Sequence, residues 1–462
     1  LRCADQATRL PGPATIHRSS RDLILRFFMC MPMPDSSSSM VSERASTLRA
    51  LASRLDSERR RRFDELESTG LVGVRVDECR GAHIRVGGDW VVSFTHMDYL
   101  GLTTLPWVRE QARERQDRMW PLASVPARLG RDARMSRLEA RLSDWTGFES
   151  ALIFPSTLHA LTDVLWTVAR PGDVVWLDRW IYSLGRQCSA AATGRGALLF
   201  ELPHNDISDL SKTVERSPNT AQIYLCDGLY AHDGSQAPLA RVLPLVEQGA
   251  GWVIVDDAHG LGTVGVEPSA ATPHGRGGGG VVRHQGIESA SVVYVSSLAK
   301  NLGVSMAMVA GSRAFIDVLR KAAGHLEHSS PPSAWSLCMA EILEDAQRRF
   351  GEQQRSLVLR HVTRLRDGLL ETGLVPLHQT LFPIQTLAFR TARTALNAAR
   401  LLLSRGIWVA FDRAPDDFRE GAVLRIVLTA RHDDACIDGL LAAVAELAKE
   451  PKIRGELYTH AM

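Results

Sequence analysis

With 462 residues, 45% of them hydrophobic and 23% charged, the chain is long enough for one large domain with a substantial core and a smaller second one. Its 54 basic and 52 acidic residues nearly cancel, which excludes the strongly basic footprint of a nucleic-acid binder or of a protein held on an anionic membrane. No apolar run reaches the ~18 residues of a membrane span, and seven scattered cysteines without a C-x-x-C pair predict no disulfide framework and no zinc site, but a reducing cytoplasm.

Residues 1–45 mix polar residues, prolines and the serine run Ser36 to Ser39, and are predicted to be a disordered leader or an over-translated extension. The next segment, 46–95, carries most of a helix over 42–68, with Leu48, Leu51, Leu55 and Phe63 on one face, then short strands over 72–76 and 91–94. From 96 to 333, apolar runs at 151–154, 174–177, 197–201, 222–226, 252–256, 291–295 and 306–310 alternate with helical stretches such as 137–146 and 240–247. The runs are continuous rather than alternating, as strands covered on both faces must be. The prediction is an α/β fold whose large domain is a doubly wound, mostly parallel sheet of seven strands. The glycine-rich run over 275–280 lacks the spacing and the strand-to-helix context of a phosphate loop, so a flexible loop is predicted there. After the break Ser329-Ser330-Pro331-Pro332, a long helix over 334–371 opens a smaller α+β domain, 334–450. Its strands are expected over 381–389, 407–411 and 424–428 and its helices over 395–405 and 437–447, with 451–462 as a tail.

The strand over 252–256 ends in Asp256, and His259 follows at the carboxyl edge, where open α/β sheets bind ligands. Alone, such an aspartate is an ordinary loop cap. The later strand over 292–295, however, runs through Ser296 and Ser297 into Lys300. Pyridoxal 5'-phosphate (PLP) needs this combination: a lysine to bond it, a carboxylate for its ring nitrogen, a partner for its phenolic oxygen, and hydroxyls or helix-terminal amides for its phosphate. An ion pair near 4 Å is worth roughly 4 kcal/mol at an effective dielectric of about 20, enough for Asp256 to keep the ring nitrogen protonated. His259 is then placed at the phenolic oxygen and Ser297 at the phosphate. Ser156, Thr157 and Leu158, opening a helix after the strand over 151–154, offer a hydroxyl pair and amides to the same phosphate; the competing reading is a plain N-cap. Tyr182, just after the strand over 174–177, either stacks on the cofactor ring or packs in the core.

Over roughly residues 45–450 the sequence resembles the α-oxoamine synthase family of PLP enzymes, which have the aspartate-aminotransferase fold (fold type I). The family includes 8-amino-7-oxononanoate synthase, 2-amino-3-ketobutyrate CoA ligase, 5-aminolevulinate synthase and serine palmitoyltransferase. The resemblance is carried by Asp98-Tyr99-Leu100-Gly101-Leu102, Gly147-Phe148 with the strand after it, Val255 to Gly265 (VDDAHGLGTVG), the strand into Lys300, and Leu424 to His432 (LRIVLTARH). It implies a homodimer with shared active sites that condenses an amino acid with an acyl thioester, acyl-CoA or acyl-carrier protein, and loses CO2 to give an α-amino ketone. By the same resemblance Lys300 bonds the cofactor and moves the α-proton, and Asp256 and His259 bind its ring. Arg425 grips the amino-acid carboxylate through a planar fork, and Ser330, with Ser329, reaches the phosphate of the partner subunit.

The sequence departs from the family at Tyr182, where a histidine usually stacks, and at Pro121 to Pro126, where a glycine-rich segment is usual. Met135, Ala231 and Asn301 replace a histidine, a hydroxyl residue and a glycine. The departures touch the substrate side, which implies a specialised biosynthetic pathway. Other carbanion chemistry on the same fold (transamination, racemisation, aldol-type cleavage, condensation with a non-thioester) is the alternative. A non-catalytic partner subunit is a further one, against which the presence of Lys300 stands.

Overall fold

The computed structural model describes residues 67–118, 129–217, 220–324, 331–413 and 421–457. It divides into Leu1–Ser68, of which residues 67 and 68 are described, and Thr69–Met462, which holds every element below. The helix expected over 42–68 therefore lies almost wholly outside the described residues.

Three strands open the described chain: β1 (Val76–Arg80), β2 (His83–Val86) and β3 (Asp89–Phe94). The strand expected over 72–76 begins only at its last residue, because Gly73 sits in the left-handed region at φ 70° and breaks the extended run. A seven-stranded sheet follows, built from β4 (Ser150–Phe154), β5 (Val174–Asp178), β6 (Leu198–Leu202), β7 (Gln222–Asp227), β8 (Trp252–Asp256), β9 (Val292–Ser297) and β10 (Ala307–Gly311). Its order is β4-β10-β9-β8-β7-β5-β6, and β10 alone runs antiparallel to its neighbours. Each of the seven predicted runs is a strand of this sheet.

In the inner strands the continuous apolar character has a direct cause; the edge strand β6 departs from the expectation, with Leu198 to Glu201 exposed and only Leu202 buried. Along β8, Val253 and Val255 enter one core while Ile254 enters the other; along β9, Tyr294 enters the first and Val293 and Val295 the second. Both faces are therefore paid for by burial worth about 1.5–3 kcal/mol per large aliphatic side chain. The helices Thr157–Val168 and Arg313–Ala322 cover one face through Leu161, Leu165, Ile316 and Leu319, and Leu239–Gln248 covers the other through Val242 and Val246.

The helix Ala334–Thr372 contributes Leu337 and Leu343 to the large core and Val362 and Leu365 to a second one. That second core lies under a six-stranded sheet of order β1-β2-β3-β12-β13-β11, with β11 (Ile384–Phe389), β12 (Ile407–Arg413) and β13 (Ala422–Val427). β3 and β12 pair in parallel, Val92 opposite Ile407, so the small sheet is assembled from both ends of the described chain. The glycine run 275–280 is a loop, as expected, but a pinned one: Gly262 N donates to Gly278 O, Gly280 N to Val264 O, and the Trp145 indole to Gly277 O at 2.7 Å. Among the described residues no helix is long and apolar enough to cross a membrane.

Candidate active site

Parallel strands covered by helices leave their carboxyl ends free, and the polar residues of this chain gather there. β7 and β8 end in Asp227 and Asp256, opposite one another in register and both buried. Ala258 N donates to Asp256 Oδ1 at 3.2 Å, and Tyr182 N donates to Asp227 Oδ2 at 3.1 Å. From the end of β9, Lys300 reaches back across β8, its Nζ 2.7 Å from His259 Nε2. His259 Nδ1 in turn lies 2.6 Å from the hydroxyl of Tyr99, which is fully buried, and Phe382 packs edge-on against both rings. Asn301 pins the lysine's segment by donating to Leu261 O and Thr263 Oγ1.

Burial dominates the electrostatics. It raises the carboxyls of Asp256 and Asp227 above their ordinary range; the nearby Lys300 opposes the shift at Asp256, while Asp256 adds to it at Asp227. Burial also lowers the Lys300 amine, against the pull of the two carboxylates. His259 is held well below its usual value by burial, then by Lys300 and Arg425, so its ring is neutral and one of its nitrogens must accept.

Two buried carboxylates thus face one lysine whose ammonium form is disfavoured. That set fits PLP: it offers negative charge to a cationic ring nitrogen and an amine ready to bond an aldehyde. Tyr182 is 59% exposed, with Lys300 Nζ 5.9 Å from its ring centre, so it stands at the surface beside the lysine and does not pack in the core. Ser156 is the N-cap of the helix Thr157–Val168, and its Oγ also bonds His159 Nδ1 at 2.9 Å. Thr157 and Leu158 open the helix with amides that have no helical acceptor. Ser297 Oγ accepts from Ala299 N at 3.2 Å.

The wall next to this cluster is Arg425 of β13. Its Nη1 lies 3.1 Å from Asp412 Oδ2 and its Nη2 donates to His232 Nδ1 at 2.9 Å. Trp180 stands beside them, stacked on His204, which bonds Asp178 Oδ1 at 3.0 Å.

The aminotransferase class I and II family matches residues 92–444. The 8-amino-7-oxononanoate synthase of Alkalilimnicola ehrlichii is 31% identical over 390 residues, 84% of this chain and 95% of that one. That of Methylococcus capsulatus is 33% identical over 379 residues, 80% of this chain and 92% of its own. The chain is an α-oxoamine synthase by family. Serine palmitoyltransferase from S. paucimobilis, solved with bound PLP–myriocin aldimine, superposes with a TM-score of 0.75 at 21% identity, covering 88% of this chain and 99% of that one. The Sphingomonas wittichii serine palmitoyltransferase gives 0.73 at 22%, covering 87% and 99%. These structures share the fold of this α-oxoamine synthase, and the family's cofactor is PLP.

Of the residues singled out from the sequence, the structure of this α-oxoamine synthase brings Lys300, Asp256, His259 and Tyr182 together in one cluster, with the charge of Arg425 felt at His259. Ser329 and Ser330 lie outside the described residues, as do Pro121 to Pro126. Met135 is buried in the large core. Sequence reading missed Asp227, His232 and the part played by Tyr99. Asp227 carries the signal that betrayed Asp256, an apolar strand ending in a carboxylate. His232 lies in the loop that follows it and had no such mark.

Proposed function

We propose that this enzyme condenses an amino acid with an acyl thioester, acyl-CoA or acyl-carrier protein, releasing the thiol and CO2 and leaving an α-amino ketone. The observation that carries the reading is the Lys300–His259 contact above the buried Asp256, in a chain of this family. PLP, when bound, supplies the electron sink that stabilises negative charge at the amino-acid α-carbon. Asp256 sets its charge opposite the ring nitrogen and keeps it protonated. Lys300 would bond the cofactor and would move the α-proton, a task suited to an amine whose cationic form burial disfavours. His259 holds the phenolic side and Tyr182 covers the ring face. The Thr157 and Leu158 amides and the Ser297 hydroxyl take the phosphate, with Ser156 fixing the helix end and Ser330 of a second copy completing the site in a homodimer. Arg425 anchors the amino-acid carboxylate.

Tyr182 and Ala231 depart from the family pattern, which supports a specialised biosynthetic role, and the free cysteines among the described residues support a cytoplasmic setting. The test is a titration of the PLP-loaded protein with glycine, alanine and serine, followed by visible absorption. A saturable spectral change with one amino acid is expected. No change with any amino acid contradicts the reading.

A further inference from the structure

We infer that His232 is a positioning residue for the amino-acid carboxylate, orienting Arg425 so that one buried guanidinium donor is left for the substrate. The inference rests on the proposed role of Arg425 as the carboxylate anchor. A guanidinium offers five N–H groups in one plane and no acceptor. Here Nη1 faces Asp412 Oδ2 at 3.1 Å and Nη2 donates to His232 Nδ1 at 2.9 Å. Nε is buried and has no partner among the described residues. Buried donors are nearly always paired, so an orphan one beside an active site marks the place of a missing acceptor. The Nε–H shares an edge of the guanidinium with an Nη hydrogen, the spacing that matches the two oxygens of a carboxylate.

His232 suits this task because it accepts and does not compete. Burial, then Arg425 and His204, lower its ring to about 4, so near neutrality it carries no charge and its Nδ1 takes the Arg425 hydrogen. It is also braced. Its ring stands edge-on to Trp180, 6.1 Å between centres, and Trp180 stacks on His204 at 4.1 Å. Its backbone carbonyl accepts from Thr386 Oγ1 at 3.3 Å, and Thr386 is the register partner of Arg425 across β11 and β13. One rung of the small sheet therefore holds His232 twice, through the main chain and through the ring.

The experiment compares PLP-loaded wild type, His232→Leu, His232→Asn and Arg425→Ala by visible-absorption titration. The ligands are the responsive amino acid and the amine that lacks its carboxyl group, for example serine and ethanolamine. His232→Leu is expected to weaken amino-acid binding about tenfold, one hydrogen bond to a charged group, with amine binding unchanged. Asn can place an acceptor where Nδ1 stood, so His232→Asn is expected to recover most of the loss. If the Leu variant does not fold, His232→Gln, which cannot place that acceptor, takes its part with the same expectation. Equal weakening of amine and amino acid, an unchanged amino-acid affinity, or failure of Asn to rescue would overturn the inference. Arg425→Ala separates the two claims: if it spares amino-acid binding, the anchor is wrong, whatever His232 does. The readout needs no thioester, so it stands apart from the outcome of the condensation assay.

Discussion

The Lys300 amine and the Tyr99 hydroxyl bracket one imidazole: Nζ lies 2.7 Å from Nε2 of His259 and the hydroxyl 2.6 Å from Nδ1. Since burial keeps His259 neutral, a single proton must be shared over its two nitrogens, and the Tyr99 contact helps decide where it sits. Replacing Tyr99 by Phe leaves Nδ1 buried without that partner, a loss of about 1–3 kcal/mol. Steady-state kinetics of Tyr99→Phe should show kcat lowered roughly tenfold or more with PLP still bound. Unchanged kcat would remove Tyr99 from the account.

Burial lowers the Lys300 amine and the neighbouring carboxylates only partly restore it, so in the cofactor-free protein it should lose its proton at a lower pH than surface lysines do. Reductive methylation with formaldehyde at increasing pH, read by peptide mass spectrometry, should modify Lys300 before the exposed Lys212. Asp256→Asn removes the carboxylate that most raises this amine, so the modification should move to still lower pH. Modification of Lys300 only together with Lys212 would contradict the electrostatic picture.

Asp256→Asn has a second effect. Without the carboxylate the ring nitrogen loses an interaction of roughly 4 kcal/mol, about three orders of magnitude in rate if all of it acts at the transition state. Single-turnover kinetics should show that loss while Lys300 still retains the cofactor.

Tyr182 should act by contact with the ring and not by proton transfer. Tyr182→Ala is expected to weaken PLP about threefold to tenfold, the worth of an aromatic stacking pair, and Tyr182→His to restore it. Equilibrium dialysis of PLP measures both.

Asp257 beside Asp256 is a structural group. Its Oδ2 accepts from Val281 N at 2.7 Å and the Tyr294 hydroxyl at 3.0 Å, and burial pushes its carboxyl up to about 7. A Cβ on Gly260 would stand 2.1 Å from its Oδ1, so Gly260→Ala should cost about 1–3 kcal/mol in denaturant unfolding through overpacking. Because the folded state holds this proton more tightly than the unfolded one, stability from this group is present at low pH and is lost as pH rises from 3.8 through about 7. Asp257→Asn should flatten that part of the pH–stability curve; a parallel curve would contradict the shift.

The large sheet was legible because its inner strands face two cores and so read as unbroken apolar runs, and the edge strand β6 keeps an apolar run although Leu198 to Phe200 are exposed; the carboxylate and lysine were legible because they terminate such runs. The small sheet was less so. Its β1 and β2 are mostly exposed, with only Ile84 buried among their nine residues, and the parallel pairing of Val92 with Ile407 joins segments with no local signal in common. His232 was hidden for the same reason: its partner Arg425 is a sheet away in sequence, and only tertiary packing brings them together.

The most direct test of the central claim is release of free thiol from an acyl-CoA by the PLP-loaded enzyme, with and without the amino acid that perturbs its spectrum. The account predicts thiol release that requires both substrates and disappears in Lys300→Ala. Conversion of that amino acid with no thiol released, for instance by amino transfer to a 2-oxo acid, would contradict it.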